Sequence, residues 1–269
     1  FTYAQNKIIE QDEALGVMGT NRQRTGEKVN QLFGLVDEGL FTFDDFQKDA
    51  CRCITDGKSV VVCAPTGAGK TVIAQHAIHC ALEQGKKVFY TTPLKALSNQ
   101  KYNDFSEKYG IDKVGLLTGD TSINRGAQIV VMTTEVFRNM LYGTNFGSVT
   151  DNLKDVKYVI LDEVHYMNDE QRGTVWEESI IYCPTNVQIV ALSATVANAD
   201  KLTEWINTVH SRTELINTDF RPVPLRFYYF DSSQPNTLLP LLTPNGTLNK
   251  KIKPEKKEFK RGKAVQKRN

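Results

Sequence analysis

The chain has 269 residues, 40% of them apolar and 24% charged, a composition that can bury a sizeable core and excludes a disordered segment. Its longest apolar runs, such as 159–161 and 189–192, fall far short of the roughly 20 residues of a membrane span, and no secretion signal is visible in these residues. Net charge is +2, but residues 250–269 carry ten Lys or Arg against two Glu, leaving about −6 elsewhere; a broadly basic surface is excluded, so any nucleic-acid contact must be local.

Residues 1–40 read as an N-terminal helical and loop extension. From residue 59 onward, short β-branched runs alternate with amphipathic segments. Runs at 59–63, 87–91, 113–117, 128–132, 158–161 and 188–192 read as buried strands, and helical segments such as 71–83, 94–108 and 135–142 stand between them. This alternation predicts an α/β fold, with a mostly parallel sheet covered by helices on both faces. Ligands of such sheets bind beyond the carboxyl ends of the strands. One further strand-like run spans 225–230, and the polar, then basic stretch 231–269 reads as an insert or linker. Five cysteines, an odd number without a CxxC spacing, suggest buried free thiols in a reducing compartment rather than disulfides or a zinc site.

The strongest local signal is Ala64-Pro65-Thr66-Gly67-Ala68-Gly69-Lys70-Thr71, which follows a strand and opens a helix. Glycines at 67 and 69 let backbone N–H groups turn inward around phosphate oxygens, and the positive end of the following helix points at the same anion. In such a loop Lys70 reaches the β- and γ-phosphates of ATP and the Thr71 hydroxyl holds Mg²⁺. The general pattern begins with Gly, and this chain has Ala64 there. A second signal is Asp162-Glu163-Val164-His165 at the end of the apolar strand 159–161. Hydrolysis of ATP needs one carboxylate to orient hydrated Mg²⁺ and another to activate water, and Asp162 and Glu163 fit these roles. A P-loop NTPase is the class these residues define.

Several further motifs, in order, resemble the first RecA-like domain of superfamily 2 helicases, and within them the superkiller-type DEVH-box RNA helicases. Phe41-Thr42-Phe43-Asp44-Asp45-Phe46-Gln47 is similar to the adenine-reading Q motif. The resemblance implies that Phe41 stacks on the base and Gln47 bonds its edge, while Phe46 reads as core. Pro93-Leu94-Lys95 opens a segment similar to motif Ia. Thr118-Gly119-Asp120 and Thr133-Thr134-Glu135-Val136-Phe137-Arg138 resemble the next two strand-contacting motifs. By this resemblance Pro93, Leu94, Lys95, Gly119, Asp120, Thr134 and Arg138 bind nucleic acid through its phosphates. Ser193-Ala194-Thr195 is similar to motif III, so Ser193, Thr195 and His165 are expected to couple hydrolysis to strand handling. Residues 167–178 and Arg221-Pro222-Val223-Pro224-Leu225 resemble flanks of the superkiller group, with Gln171 where an acid is usual. The stretch after 231 is loosely similar to inserts of its plastid and cyanobacterial branch.

The resemblance implies a RecA-like ATP-binding domain over 41–230 of an ATP-dependent 3′–5′ RNA helicase. Its partners would be single-stranded RNA and a second RecA-like domain of the same polypeptide supplying arginine fingers, and no such domain follows residue 231. These residues alone are therefore expected to bind nucleotide weakly and hydrolyse it slowly. A DNA helicase, or a nucleotide-dependent scaffold that does not translocate, are the alternatives. The basic tail is either a solvated insert or a phosphate grip. Nothing points to a membrane or a homo-oligomer, and an intracellular setting is expected in cytoplasm, nucleus or plastid.

Overall fold

The computed structural model describes residues 43–143, 152–230 and 238–252. The extension 1–40, Phe41 and the tail beyond 252 lie outside the described residues. The chain divides into two compact units, Phe1–Arg221 and Pro222–Asn269.

The first unit is built on one sheet. Its strands are β1 (Ser59–Cys63), β2 (Lys87–Thr92), β3 (Val114–Leu117), β4 (Ser122–Ile123), β5 (Ile129–Thr133), β6 (Val156–Leu161), β7 (Gln188–Ser193) and β8 (Thr213–Asn217). Across the sheet the order is β4-β3-β5-β2-β6-β7-β1-β8. Every pairing is parallel except that of the two-residue edge strand β4 with β3. The central strands β1, β5 and β7 are buried along their whole length, as their unbroken Val, Ile and Leu runs require when helices cover both faces. Those helices are α1 (Asp45–Thr55), α2 (Thr71–Glu83), α3 (Lys95–Tyr109), α4 (Thr134–Leu141), α5 (Thr174–Ile181) and α6 (Ala199–Val209).

Alternate strand residues feed two separate cores. Val60, Val62, Tyr90, Val131 and Ile160 meet α1, α2 and α3 on one face, and Val61, Phe89, Val130, Val159 and Trp176 pack on the other. None of the five cysteines forms a disulfide, and four are buried. No helix among the described residues is long and apolar enough to cross a membrane.

In the second unit, Tyr228–Phe230 (β9) pairs antiparallel with Leu238–Pro240 (β10), and Leu242 bridges Leu248. A hairpin thus occupies part of the stretch that composition alone marks as loop or linker. The strand-like run 225–230 joins this hairpin, and β8, a half-exposed strand with Glu214 and Asn217 in it, takes the sheet edge beside β1.

The packing of α1 on α2 makes one pH prediction. His76 is fully buried, with Nε2 3.0 Å from Thr55 Oγ1 and 3.6 Å from Cys80 Sγ. Burial pushes its pKa from 6.5 down to about 4, against a smaller opposing pull from the Cys51 carbonyl. Between those two values the unfolded chain takes up a proton that the fold refuses. The contribution of a neutral His76 is complete above pH 6.5 and is lost as pH falls towards 4, at most about 3 kcal/mol for a shift of this size. Thermal unfolding at pH 7 and pH 5 is expected to show a smaller acid-induced drop in Tm for His76→Gln than for the parent.

Candidate nucleotide and nucleic-acid site

The carboxyl end of β1 delivers the phosphate-type loop. Ala64 N–H donates to Ser193 O at 3.2 Å, which fastens the start of the loop to the end of β7. Gly67 and Gly69 adopt φ of +83° and +86°, the left-handed region that disfavours side chains. At Gly69 a Cβ would also stand 2.6 Å from Gln47 Nε2. Pro65 and Ala68 are buried, while Thr66, Gly67 and Gly69 are exposed, so the loop rests on the core through two residues and leaves its glycines open. Lys70 Nζ donates to Ala64 O at 2.7 Å and to Pro65 O at 3.2 Å, folding back over its own loop. Burial draws the Lys70 ammonium below its ordinary pKa, and Glu163 and then Asp162 work against that shift. The lysine therefore lies in the field of both acids. β7 alone separates β1 from β6, so the strand ends bearing the loop and the acid pair are about 10 Å apart.

Asp162 continues the β6 ladder by donating its N–H to Thr91 O at 3.0 Å. Its Oδ2 accepts from the Tyr90 hydroxyl at 2.6 Å and its Oδ1 accepts from Glu163 N–H at 3.0 Å. Tyr90 is almost fully buried, and burial, with Asp162 next, pushes its phenol well above the usual value, so it is a fixed donor. Glu163 sits at φ +55°, ψ +45°, a conformation that non-glycine residues adopt at some energetic expense, and one concentrated at functional sites. It turns the carboxylate out of the strand into the 3₁₀ turn Val164–Asn168.

His165 Nδ1 lies 3.1 Å from Glu163 Oε2 and accepts from Ala194 N–H at 3.4 Å. One nitrogen cannot serve both: the first contact needs a proton on it and the second a lone pair. The ring thus joins the acid pair to the Ser193–Thr195 loop through one tautomer-dependent atom. Beneath it lies a cavity of about 30 Å³ lined by Val164, His165, Asn168, Ser193 and Val196, about the volume that admits a single water.

The other strand ends carry the remaining motifs. The sheet order sorts them: β3, β5 and β2 bear the strand-contacting motifs, and β6, β7 and β1 bear the nucleotide motifs. Leu94, Lys95, Gly119 and Asp120 are exposed at the carboxyl ends of β2 and β3. Lys95 forms an ion pair with Asp120, whose Oδ1 also accepts from Thr118 Oγ1 at 2.9 Å.

Four residues sit differently from what the resemblance implies. Gln47 is buried, its Nε2 donating to Ala68 O and Gly69 O at 3.3 and 3.2 Å and its Oε1 accepting from Asp44 N–H at 3.0 Å. Its amide braces the phosphate loop, and an adenine would have to displace these partners. Thr134 is fully buried and donates its hydroxyl to Thr92 O at 3.1 Å, so its side chain holds two strand ends together and presents nothing to a phosphate. Arg138, one turn along α4, pairs with Asn139 and with Glu178 at 3.5 Å. Asp120 is a carboxylate engaged with Lys95 and cannot itself attract a phosphate.

One residue that motif reading passed over joins the site, and another lies beside it. Tyr90 orients Asp162, and its signal in the sequence was a phenol in the middle of a buried strand, whose hydroxyl demands a polar partner. Arg172 donates from Nη2 to Pro93 O at 2.8 Å and pairs with Glu135.

A parallel sheet with a glycine-rich phosphate loop after β1 and an acid pair after β6 defines a P-loop NTPase of RecA-like architecture. The DEAD/DEAH box helicase family matches residues 44–202, and the chain belongs to that family. It is 50% identical over 226 residues to the DExH-box ATP-dependent RNA helicase DExH15, chloroplastic, of Arabidopsis thaliana, covering 83% of this chain and 19% of that protein. It is 54% identical over 185 residues to the probable helicase HelY of Mycobacterium tuberculosis, covering 69% of this chain and 20% of HelY. A hypothetical ATP-dependent RNA helicase from Sulfolobus tokodaii shares the fold, with a TM-score of 0.54, 23% identity and coverage of 71% of this chain and 57% of that one. The chain spans about a fifth of the length of the two curated relatives.

Proposed function

We propose that this chain is the ATP-binding half of an ATP-dependent 3′–5′ RNA helicase. The observation that carries the proposal is the placement of Lys70 in the field of both Asp162 and Glu163, from loops at the ends of strands two places apart in one sheet. Lys70 leaves the Ala64 and Pro65 carbonyls to meet the β- and γ-phosphates, and inward-facing amides of residues 66–71 hold the rest of the chain of phosphates. Thr71 and Asp162 offer two hard oxygen donors, few enough to suit Mg²⁺, which keeps several waters and binds through one or two protein groups plus phosphate. Such an ion would neutralise charge developing on the phosphates. Glu163 takes the proton from the attacking water, and Tyr90 fixes the Asp162 carboxylate while it acts.

His165 passes the state of Glu163 to the Ser193–Thr195 loop through the contested Nδ1. The exposed residues Leu94, Lys95 and Gly119 and their amides form the strand-contacting face, with Pro93 itself buried and Asp120 holding Lys95 in register rather than meeting phosphate. We infer further that a second RecA-like domain of the same polypeptide closes on the nucleotide and supplies an arginine finger. RNA as the strand follows from the 50% identity to an RNA helicase over 83% of the chain. An intracellular setting suits five cysteines that form no disulfide.

The test is ATP hydrolysis by the complete enzyme with single-stranded RNA or DNA of the same sequence. RNA is expected to stimulate turnover more than DNA does. Equal or greater stimulation by DNA would replace RNA with DNA as the substrate, and absence of stimulation by either would remove the motor reading.

A further inference from the structure

Arg172 lies in the segment that follows the acid pair, outside every residue assigned above to phosphate, metal or strand. Its backbone is fixed. Asp169 Oδ1 accepts from the N–H groups of Gln171 and Arg172 at 2.9 and 3.0 Å, and Gly173 N–H donates to Asp169 O at 2.8 Å. At Gly173 a Cβ would stand 2.2 Å from Met167 O and 2.8 Å from Asp169 O, so the loop closes tighter than any side chain at 173 allows. The half-buried guanidinium projecting from this turn reaches two other loops. It donates to the carbonyl of Pro93, directly after β2, and pairs with Glu135 in the first turn of α4, directly after β5.

β5, β2 and β6 are neighbours in the sheet. One permanently charged guanidinium therefore, through its Nη2, binds the segment leaving β6 to the loops at the ends of the next two strands. Both of these Nη2 contacts end on protein oxygens. Nearby bonds make the clamped loops stiff: Thr92 Oγ1 lies 2.7 Å from Ser98 Oγ, and Thr134 Oγ1 holds Thr92 O. A shift in the segment after Glu163 would consequently move Pro93, and with it the exposed Leu94 and Lys95, as a unit.

We propose that Arg172 is a positioning residue that couples the nucleotide end of the sheet to the strand-contacting loops. The proposal rests on the helicase reading above. The complete enzyme, Arg172→Ala, Arg172→Lys and Glu135→Gln are compared for ATP hydrolysis with and without single-stranded RNA, and for the RNA concentration giving half-maximal stimulation. Arg172→Ala is expected to keep ATP affinity and unstimulated turnover within about twofold of the parent while RNA stimulation falls about 5- to 10-fold or more, the range of a typical coupling free energy. Arg172→Lys should recover part of the stimulation, and Glu135→Gln should lose less than the alanine variant. Where Arg172→Ala fails to fold, the lysine and glutamine variants carry the comparison.

Unchanged stimulation in the variants, or an equal fall in basal and stimulated turnover, would overturn the coupling role alone. A parent enzyme that RNA and DNA both leave unstimulated would overturn the helicase reading and this inference together.

Discussion

Replacing Glu163 with glutamine is expected to slow ATP hydrolysis by the complete enzyme by about 10²- to 10⁴-fold, the usual worth of a general base, with ATP affinity held within a few-fold. The substitution is nearly isosteric, so the left-handed backbone at 163, with its φ of +55°, and the turn that follows it are retained. What disappears is the ability to accept a proton from water. Asp162, its Tyr90 hydrogen bond and the Lys70 loop are untouched, which is why binding should survive. The amide also changes the partner of His165 Nδ1, because a glutamine can present either an oxygen or an N–H to it. The variant is therefore expected to hold ATP and strand together in a stalled complex. Hydrolysis at the parental rate would remove Glu163 as the general base, and function of the full protein preserved despite the substitution would favour the non-translocating scaffold.

Lys70→Ala is expected to weaken ATP binding about 10- to 100-fold, the loss of one charge-assisted contact to phosphate at roughly 1.5–3 kcal/mol. The lysine has no structural duty that a water could not take over. Its ammonium caps two carbonyls of its own loop, at Ala64 and Pro65, and burial draws it below its ordinary pKa. The fold should consequently tolerate the change, with thermal unfolding near the parental temperature. A titration with a fluorescent ATP analogue checks it, and affinity within twofold of the parent would mean that the phosphates sit elsewhere.

The residues that define the site were legible because their chemistry is local. Glycines at 67 and 69 followed by Lys70 and Thr71 state a backbone conformation and a charge within eight residues, and the strand before them is plain from Val60, Val61 and Val62. Asp162 and Glu163 close an equally plain apolar run. The mostly parallel character of the sheet followed from alternation alone, whereas its strand order did not. β8 was missed because an edge strand with one side open needs no apolar periodicity, and Glu214 and Asn217 disguised it. β4 is two residues long and carries no pattern at all. Tyr90, Gln47 and Arg172 act through partners 72, 22 and 79 residues away, so no spacing rule could assign what they touch. A partner 42 residues away, the Thr92 carbonyl, likewise hid the burial of Thr134, which a helix-start position would otherwise present to solvent.

A structure of the chain with Mn²⁺ in place of magnesium and a non-hydrolysable ATP analogue, read by anomalous scattering, tests the account most directly. The predicted result is one metal peak between Thr71 Oγ1 and the Asp162 carboxylate, on the same triphosphate that Lys70 contacts, with Glu163 facing the γ-phosphate. A triphosphate bound away from residues 64–71, or a metal peak bound without Asp162 beside it, would contradict the account.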